Sequence, residues 1–128
     1  MNDQYFLKPD YIITTTYWRK RELISKFRKM KNMTAGEFKD SLRLLQPPGG
    51  LSAHETALWW AGKGDWNKAH DIVQDLNDQL ASRIHAFLHR QEGDIPNAGY
   101  WYEKAHIRMP SIPLDQEWED LVKGLTYS

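Results

Sequence analysis

The chain has 128 residues, a length that suits one domain, and its six Trp, six Tyr and four Phe are enough aromatic surface for a modest core. It has no Cys, which excludes disulfides, thiolate metal sites and Cys-based catalysis and fits a reducing cytosol. Formal net charge is zero, but residues 1–50 hold ten Lys/Arg against five Asp/Glu and residues 51–128 hold seven against twelve. Either the two halves attract each other and are otherwise solvated, or the N-terminal part contacts an acidic surface. No apolar run approaches the roughly 18–20 residues of a membrane span. Met1–Lys8 carries Asp3 and no basic start, so it does not read as a secretory signal, and the expected location is the cytoplasm.

In chain order, Tyr11–Thr16 is β-branched and suits a strand or an extended arm. Residues 17–31 predict a basic amphipathic helix, with Leu23, Ile24, Phe27 and Met30 on one stripe and Arg19, Lys20, Arg21, Lys26, Arg28, Lys29 and Lys31 elsewhere. Such a helix packs its stripe on its own domain, or offers its charges to nucleic acid, an anionic membrane or an acidic partner. Thr34-Ala-Gly-Glu37 has the spacing of a capping box and predicts a helix that turns Phe38, Leu42 and Leu45 inward. Pro47-Pro48-Gly49-Gly50 ends it. A second capping box, Ser52-Ala-His-Glu55, predicts a helix to about Ala61 in which only one of Trp59 and Trp60 can be buried.

Gly64-Asp65 then breaks and restarts the chain, Gly64 taking positive φ and Asp65 capping a helix that carries Trp66, Ala69, Ile72, Val73 and Leu76. Leu80, Ile84, Phe87 and Leu88 mark the next helix. Gly93-Asp94 repeats the break, with Pro96 in the first turn of the helix that follows. Tyr100-Trp101-Tyr102 spans too much of that helix's circumference for every ring to face one core; the spare ring packs on the C-terminal helix, a second subunit or a ligand. After Met109-Pro110-Ser111-Ile112-Pro113, Asp115 is expected to cap a closing helix with Trp118, Leu121, Val122 and Leu125 inside and one polar side.

The segments His54–Leu76 and Arg83–Ala105 match at an offset of 29, aligning Ala57 with Ala86, Gly64 with Gly93, Asp65 with Asp94 and Ala69 with Ala98. Small helical hairpins repeated in this way cannot bury their apolar faces alone and must stack. Gly64-Asp65-Trp66-Asn-Lys-Ala69 and Gly93-Asp94-Ile95-Pro-Asn-Ala98, followed by Tyr102, Ala105 and Pro110, resemble the second helices of tetratricopeptide (TPR) repeats across residues 52–110. The resemblance implies an all-α fold of about six helices in stacked antiparallel hairpins with a right-handed superhelical sense. It also implies a concave groove, lined by first helices, that binds a peptide or partner protein. Residues 1–33 would form an arm and basic helix, and residues 34–128 the TPR-like body with its capping helix, as one domain overall. The stretch from Pro47 to Tyr102 also resembles a group of small bacterial proteins, which implies a bacterial origin and no mechanism.

His85 and His89 lie four apart on one predicted helix, with Glu92 three residues on. That spacing stacks two imidazoles beside a carboxylate, and it reads as two surface or inter-helix histidines with ordinary hydrogen bonds, as a transition-metal site, or as a contact to a polar ligand or partner. The stricter His-Glu-x-x-His form is absent, since Ala86 stands where the general base would. At about 100° per residue, His85 and His89 fall about 110° and 150° from the apolar centre near Leu80, Ile84 and Phe87, which makes them flank residues. The offset sets Trp60 and Lys63 at positions equivalent to His89 and Glu92. Side by side, Trp60, Lys63, His85, His89 and Glu92 would form a ligand surface that His70 could join. Asp71, Asp75 and Asp78 read as a solvated helix face. There is no phosphate-binding loop and no nucleophile elbow.

The leading expectation is a non-enzymatic module, without cofactor, that binds a protein, peptide or small polar ligand. A short aromatic-rich array also fits a homodimer. The alternatives are a metal- or histidine-assisted hydrolase using His85, His89 and Glu92, and nucleic-acid binding through Arg19, Lys20, Arg21, Arg28 and Lys29.

Overall fold

The computed structural model describes residues 33–126, so the arm, the strand-like run and the basic helix expected before Met33 lie outside the described residues. Those residues form six α-helices: α1 (Ala35–Asp40), α2 (Ala53–Gly62), α3 (Trp66–Val73), α4 (Gln79–Glu92), α5 (Ile95–Lys104) and α6 (Leu114–Leu125). No helix among them is long and apolar enough to cross a membrane.

Both capping boxes form. The Thr34 hydroxyl accepts from the Glu37 N–H at 3.1 Å while Glu37 Oε1 accepts from the Thr34 N–H at 2.9 Å, and Ser52 and Glu55 do the same at the start of α2. The first apolar stripe does not run as expected. After Asp40 the chain tightens into a 3-10 turn, Ser41–Arg43, which changes the residue spacing per turn. Leu44, not Leu45, then reaches the core, and Leu45 is 66% exposed. Of the tryptophan pair, Trp59 is buried and Trp60 half-buried. Trp59 Nε1 donates to Ser41 Oγ at 3.0 Å, and that hydroxyl donates onward to the Phe38 carbonyl at 2.6 Å.

The internal repeat appears as two copies of one turn. Gly64 and Gly93 sit at φ of +85° and +89°. In each copy the following Asp N–H reaches back five residues, Asp65 to the Trp60 carbonyl and Asp94 to the His89 carbonyl, both at 2.9 Å. The aspartates then cap α3 and α5 through the N–H groups of Lys68 and Asn97. This is the helix-ending geometry for which glycine is preferred, followed at once by an N-cap. The hairpins α2–α3 and α4–α5 follow, and α4 packs on α3 and α2 as well.

Two local expectations are corrected. Asp78 is not on a helix face. It is the N-cap of α4, accepting from the Ala81 N–H at 2.7 Å with His54 Nε2 beside it, and the Ala81 bond first, then His54, holds its carboxyl below the usual range. Helix α6 begins one residue before Asp115, with Pro113 at the cap position; Asp115 is a first-turn acid that favours the helix dipole.

Helix α6 packs against both α2 and α4 and reaches α1. Trp118 donates from Nε1 to the Leu58 carbonyl at 2.8 Å, and its ring lies where a Cβ on Gly62 would approach to 2.8 Å. Within the same inward stripe is Glu117, fully buried. One of its oxygens meets Arg90 Nη1 at 2.7 Å, and the other accepts from the Tyr102 hydroxyl at 2.6 Å. Arg90 also donates to the Ile112 carbonyl. The closing helix therefore buries a carboxylate on its apolar side.

Candidate functional site: an imidazole and tryptophan cluster

Helix α4 carries His85 and His89 one turn apart, with ring centroids 4.9 Å apart and planes inclined by 22°. Read as flank residues, they are instead buried, at 5% and 6% exposed. The flank itself is covered: α3 packs along one side of α4 and α5 along the other, and each contributes aromatic rings. From α3, His70 meets His85 and His89 edge-on at 4.7 and 5.4 Å. Its Nε2 lies 3.0 Å from His85 Nε2. Trp66, one turn earlier on α3, stacks on His70 at 4.6 Å and touches His89 with its edge, while its Nε1 donates to the Leu88 carbonyl at 2.6 Å. From α5, Trp101 stacks on His85 at 3.9 Å and 14°. Three imidazoles thus fill a seam between three helices, closed at its two ends by indoles.

The protonation pattern follows from the geometry. Two Nε2 atoms at hydrogen-bond distance can share only one proton, so one of His70 and His85 donates and the other accepts. Burial first, then the neighbouring His70 and His89, pulls His85 down to about 4. His70 is lowered too, by burial and then by His89. His89 Nδ1 lies 2.8 Å from Glu92 Oε2. An N–H there leaves Nε2 as the lone-pair nitrogen of the neutral ring. One ring nitrogen from each of His70, His85 and His89 lies within 4.8 Å of the others.

The structure brings His70, His85, His89 and Glu92 together and places Trp60 and Lys63 elsewhere. Lys63 Nζ donates to the carbonyls of Leu42 and Leu44, both at 2.8 Å. Trp60 meets Trp59 edge-on, and the Lys68 ammonium lies 4.2 Å above its ring. The repeat explains the split: His85 and His89 face α3, the element before their own helix, and Lys63 likewise faces the 3-10 turn before α2. Equivalent positions therefore meet non-equivalent neighbours. Trp66 is the cluster residue that sequence reading passed over, and Trp101 entered it only as one ring of the Tyr100-Trp101-Tyr102 run. The four-residue step from Trp66 to His70 is a stacking signal of the same kind as His85 to His89, but Trp66 reads equally well as core.

Beside the cluster, a crevice of about 300 Å³ opens between the α3–α4 link and the end of α5, lined by Leu76, Asp78, Gln79, Ser82, Trp101, Lys104 and their neighbours. Trp101 is one wall, and its ring stacks on His85. The Lys104 ammonium lies 5.1 Å from the Trp101 ring centroid and 5.7 Å from that of Tyr100, which is 54% exposed. His106, at φ of 60°, stands at the lip. Comparison with known protein families, curated proteins and solved structures yields no match.

Proposed function

We propose that this chain is a non-enzymatic interaction module of two TPR-like helical hairpins that binds a short peptide of a partner protein, or a small polar ligand. The repeated Gly-Asp turns support the TPR-like reading. The face of α2 and α4 that a TPR array would leave open for a ligand is packed by α6, so the binding surface is assigned to the crevice beside α5. The observation that carries this is the composition of that crevice: an indole wall at Trp101, a cation at Lys104 and a polar rim including Gln79 and Ser82. An apolar or aromatic group would lie on Trp101, and an anionic or carbonyl group would meet Lys104. The second reading is a metal- or histidine-assisted hydrolase using His85, His89 and Glu92, in which the contact of Glu92 Oε2 with His89 Nδ1 would orient the imidazole. The nucleic-acid reading rests on residues before Met33 and predicts binding that falls steeply with salt.

The test is selection from a displayed peptide library against the metal-stripped full chain, followed by binding of the selected peptides to Ser82→Tyr, which fills the crevice, and Lys104→Glu. Selected peptides should lose at least tenfold in affinity for both variants. Peptides that bind the two variants as well as the original chain would remove the crevice from consideration.

A further inference from the structure

We propose that His70, His85 and His89 form a binding site for one divalent transition-metal ion of the zinc class, with Glu92 as the outer partner that orients His89. This goes beyond the crevice reading and stands without it. The three rings come from two helices, and one nitrogen of each already lies within 4.8 Å of the other two. Ligand nitrogens about 2.0–2.1 Å from a tetrahedral zinc are separated from one another by only a little over the His70–His85 spacing of 3.0 Å.

Two features separate this cluster from ordinary buried histidines. The first is its composition. Among the described residues the polar contacts of the three imidazoles are the His70–His85 bond and the Glu92 carboxylate on His89. Each neutral ring keeps one lone pair that a shared cation can accept. The second is the bond from His89 Nδ1 to Glu92 Oε2 at 2.8 Å. A carboxylate on the far nitrogen of a ligating histidine selects the tautomer, aims the ring and strengthens it as a donor. An all-imidazole set in a chain without thiolates suits Zn²⁺, Cu²⁺, Ni²⁺ or Co²⁺ and is a poor cage for Mg²⁺ or Ca²⁺. Whichever of His70 and His85 carries its proton on Nε2 must shift it to Nδ1 before that Nε2 can bind metal, so the direct imidazole–imidazole bond and the metal are alternative states of one pair. The stacked Trp66 and Trp101 hold the His70 and His85 rings in plane in both states.

The experiment uses the untagged full chain, stripped with a chelator, and titrates Co²⁺ alone and then Zn²⁺ in competition. Expected are one equivalent of Co²⁺, the intense visible spectrum of a four- or five-coordinate ion, and its displacement by one equivalent of Zn²⁺. His70→Phe keeps a ring against Trp66 and should abolish the spectrum; His85→Gln should do the same. Glu92→Gln should weaken affinity by about 10–100-fold without changing stoichiometry. Circular dichroism and thermal unfolding of each variant identify those that remain folded, and at least one of the two histidine variants must pass. The proposal is overturned if the folded original chain gives no spectrum, or if the spectrum survives in a folded His70→Phe or His85→Gln, which would assign the ion to His54, His106 or another surface group. Either failure leaves the crevice untouched, since that is tested on metal-free protein through Ser82 and Lys104.

Discussion

Helix α4 buries polar groups on two sides, and the two sides are built differently. Toward α6, Arg90 meets a fully buried Glu117, which also accepts from Tyr102, while Arg90 donates to the Ile112 carbonyl. Each strong group in that node has a partner of opposite character. Burial, and then the Glu117 bond and charge, hold the Tyr102 hydroxyl far above its usual range, so it is a permanent donor. Toward α3 and α5 lie three imidazoles, among which the only carboxylate contact from the described residues is that of Glu92. A closed network fixes architecture, because nothing remains for it to bind. An open one has capacity left over. On this ground the histidine seam, and not the arginine node, is the side of α4 on which to test for a bound ion.

The sharpest way to break the comparison is to open the closed side. Glu117→Ala strands the Arg90 charge and the Tyr102 hydroxyl in the core, and should cost about 3–5 kcal/mol in urea unfolding. The triple change Arg90→Met, Glu117→Leu, Tyr102→Phe removes the charges and the hydroxyl together and should recover most of that loss. If the single variant costs less than about 1 kcal/mol, the Arg90–Glu117 pair behaves as a solvated one and the node is not closed.

Next in size is the seam between α2 and α6. A Cβ at position 62 would sit 2.8 Å from Trp118 Cζ2 and 3.1 Å from Leu42 Cδ1. An indole ring held by its own hydrogen bond to Leu58 cannot fold aside as a flexible chain end would. Gly62→Ala should therefore cost about 1–3 kcal/mol from overpacking, despite the better helix propensity of alanine. A neutral or stabilising result in thermal unfolding would mean that α6 moves freely over α2.

Much of the fold was legible because its signals are local. Capping boxes and Gly-Asp turns act within five residues, and each was recognisable from residue type and spacing. The two turns give a direct check: Gly64→Ala and Gly93→Ala both force an L-residue to φ near +85°, with open space around the added Cβ. Each should cost about 1–2 kcal/mol, and by nearly equal amounts. Unequal losses would show that the two copies of the turn are not held alike. What was illegible is non-local. Glu117 looked like the polar side of a closing helix because its partner Arg90 is 27 residues away. Leu45 replaced Leu44 in the expected core because a 3-10 turn breaks the helical period. The histidine wheel angles had the right direction and the wrong surroundings: whether a flank is wet depends on which helices lie against it, and that is decided by stacking. Trp60 and Lys63 lie apart from the histidines for the same reason.

The smallest effect at neutral pH belongs to the open side, and there the pH dependence carries the information. His85→Phe, measured with a chelator present, removes one shared proton and keeps an aromatic ring between Trp101 and His89. His70 is only half-buried and can turn its freed nitrogen to water, so the change at pH 7 should stay below about 1 kcal/mol. Acid should change the ranking. The folded His85 titrates near 4 against 6.5 for the free side chain, so between those values the unfolded chain binds the extra proton. Stability assigned to His85 is then fully present above pH 6.5 and is lost as pH falls toward 4. The Phe variant has no such proton to take up. Its urea midpoint should rise relative to that of the original chain as pH is lowered through this window, the difference levelling off below it. His70, whose own titration is displaced downward, contributes to both curves and cancels in the comparison only if His85 does not govern it. Running the pair again on a His70→Phe background separates the two. If the original chain and the Phe variant lose stability in parallel from pH 7 to 4, His85 is already solvated in the folded protein, and the distinction between a closed and an open side of α4 fails where it matters most.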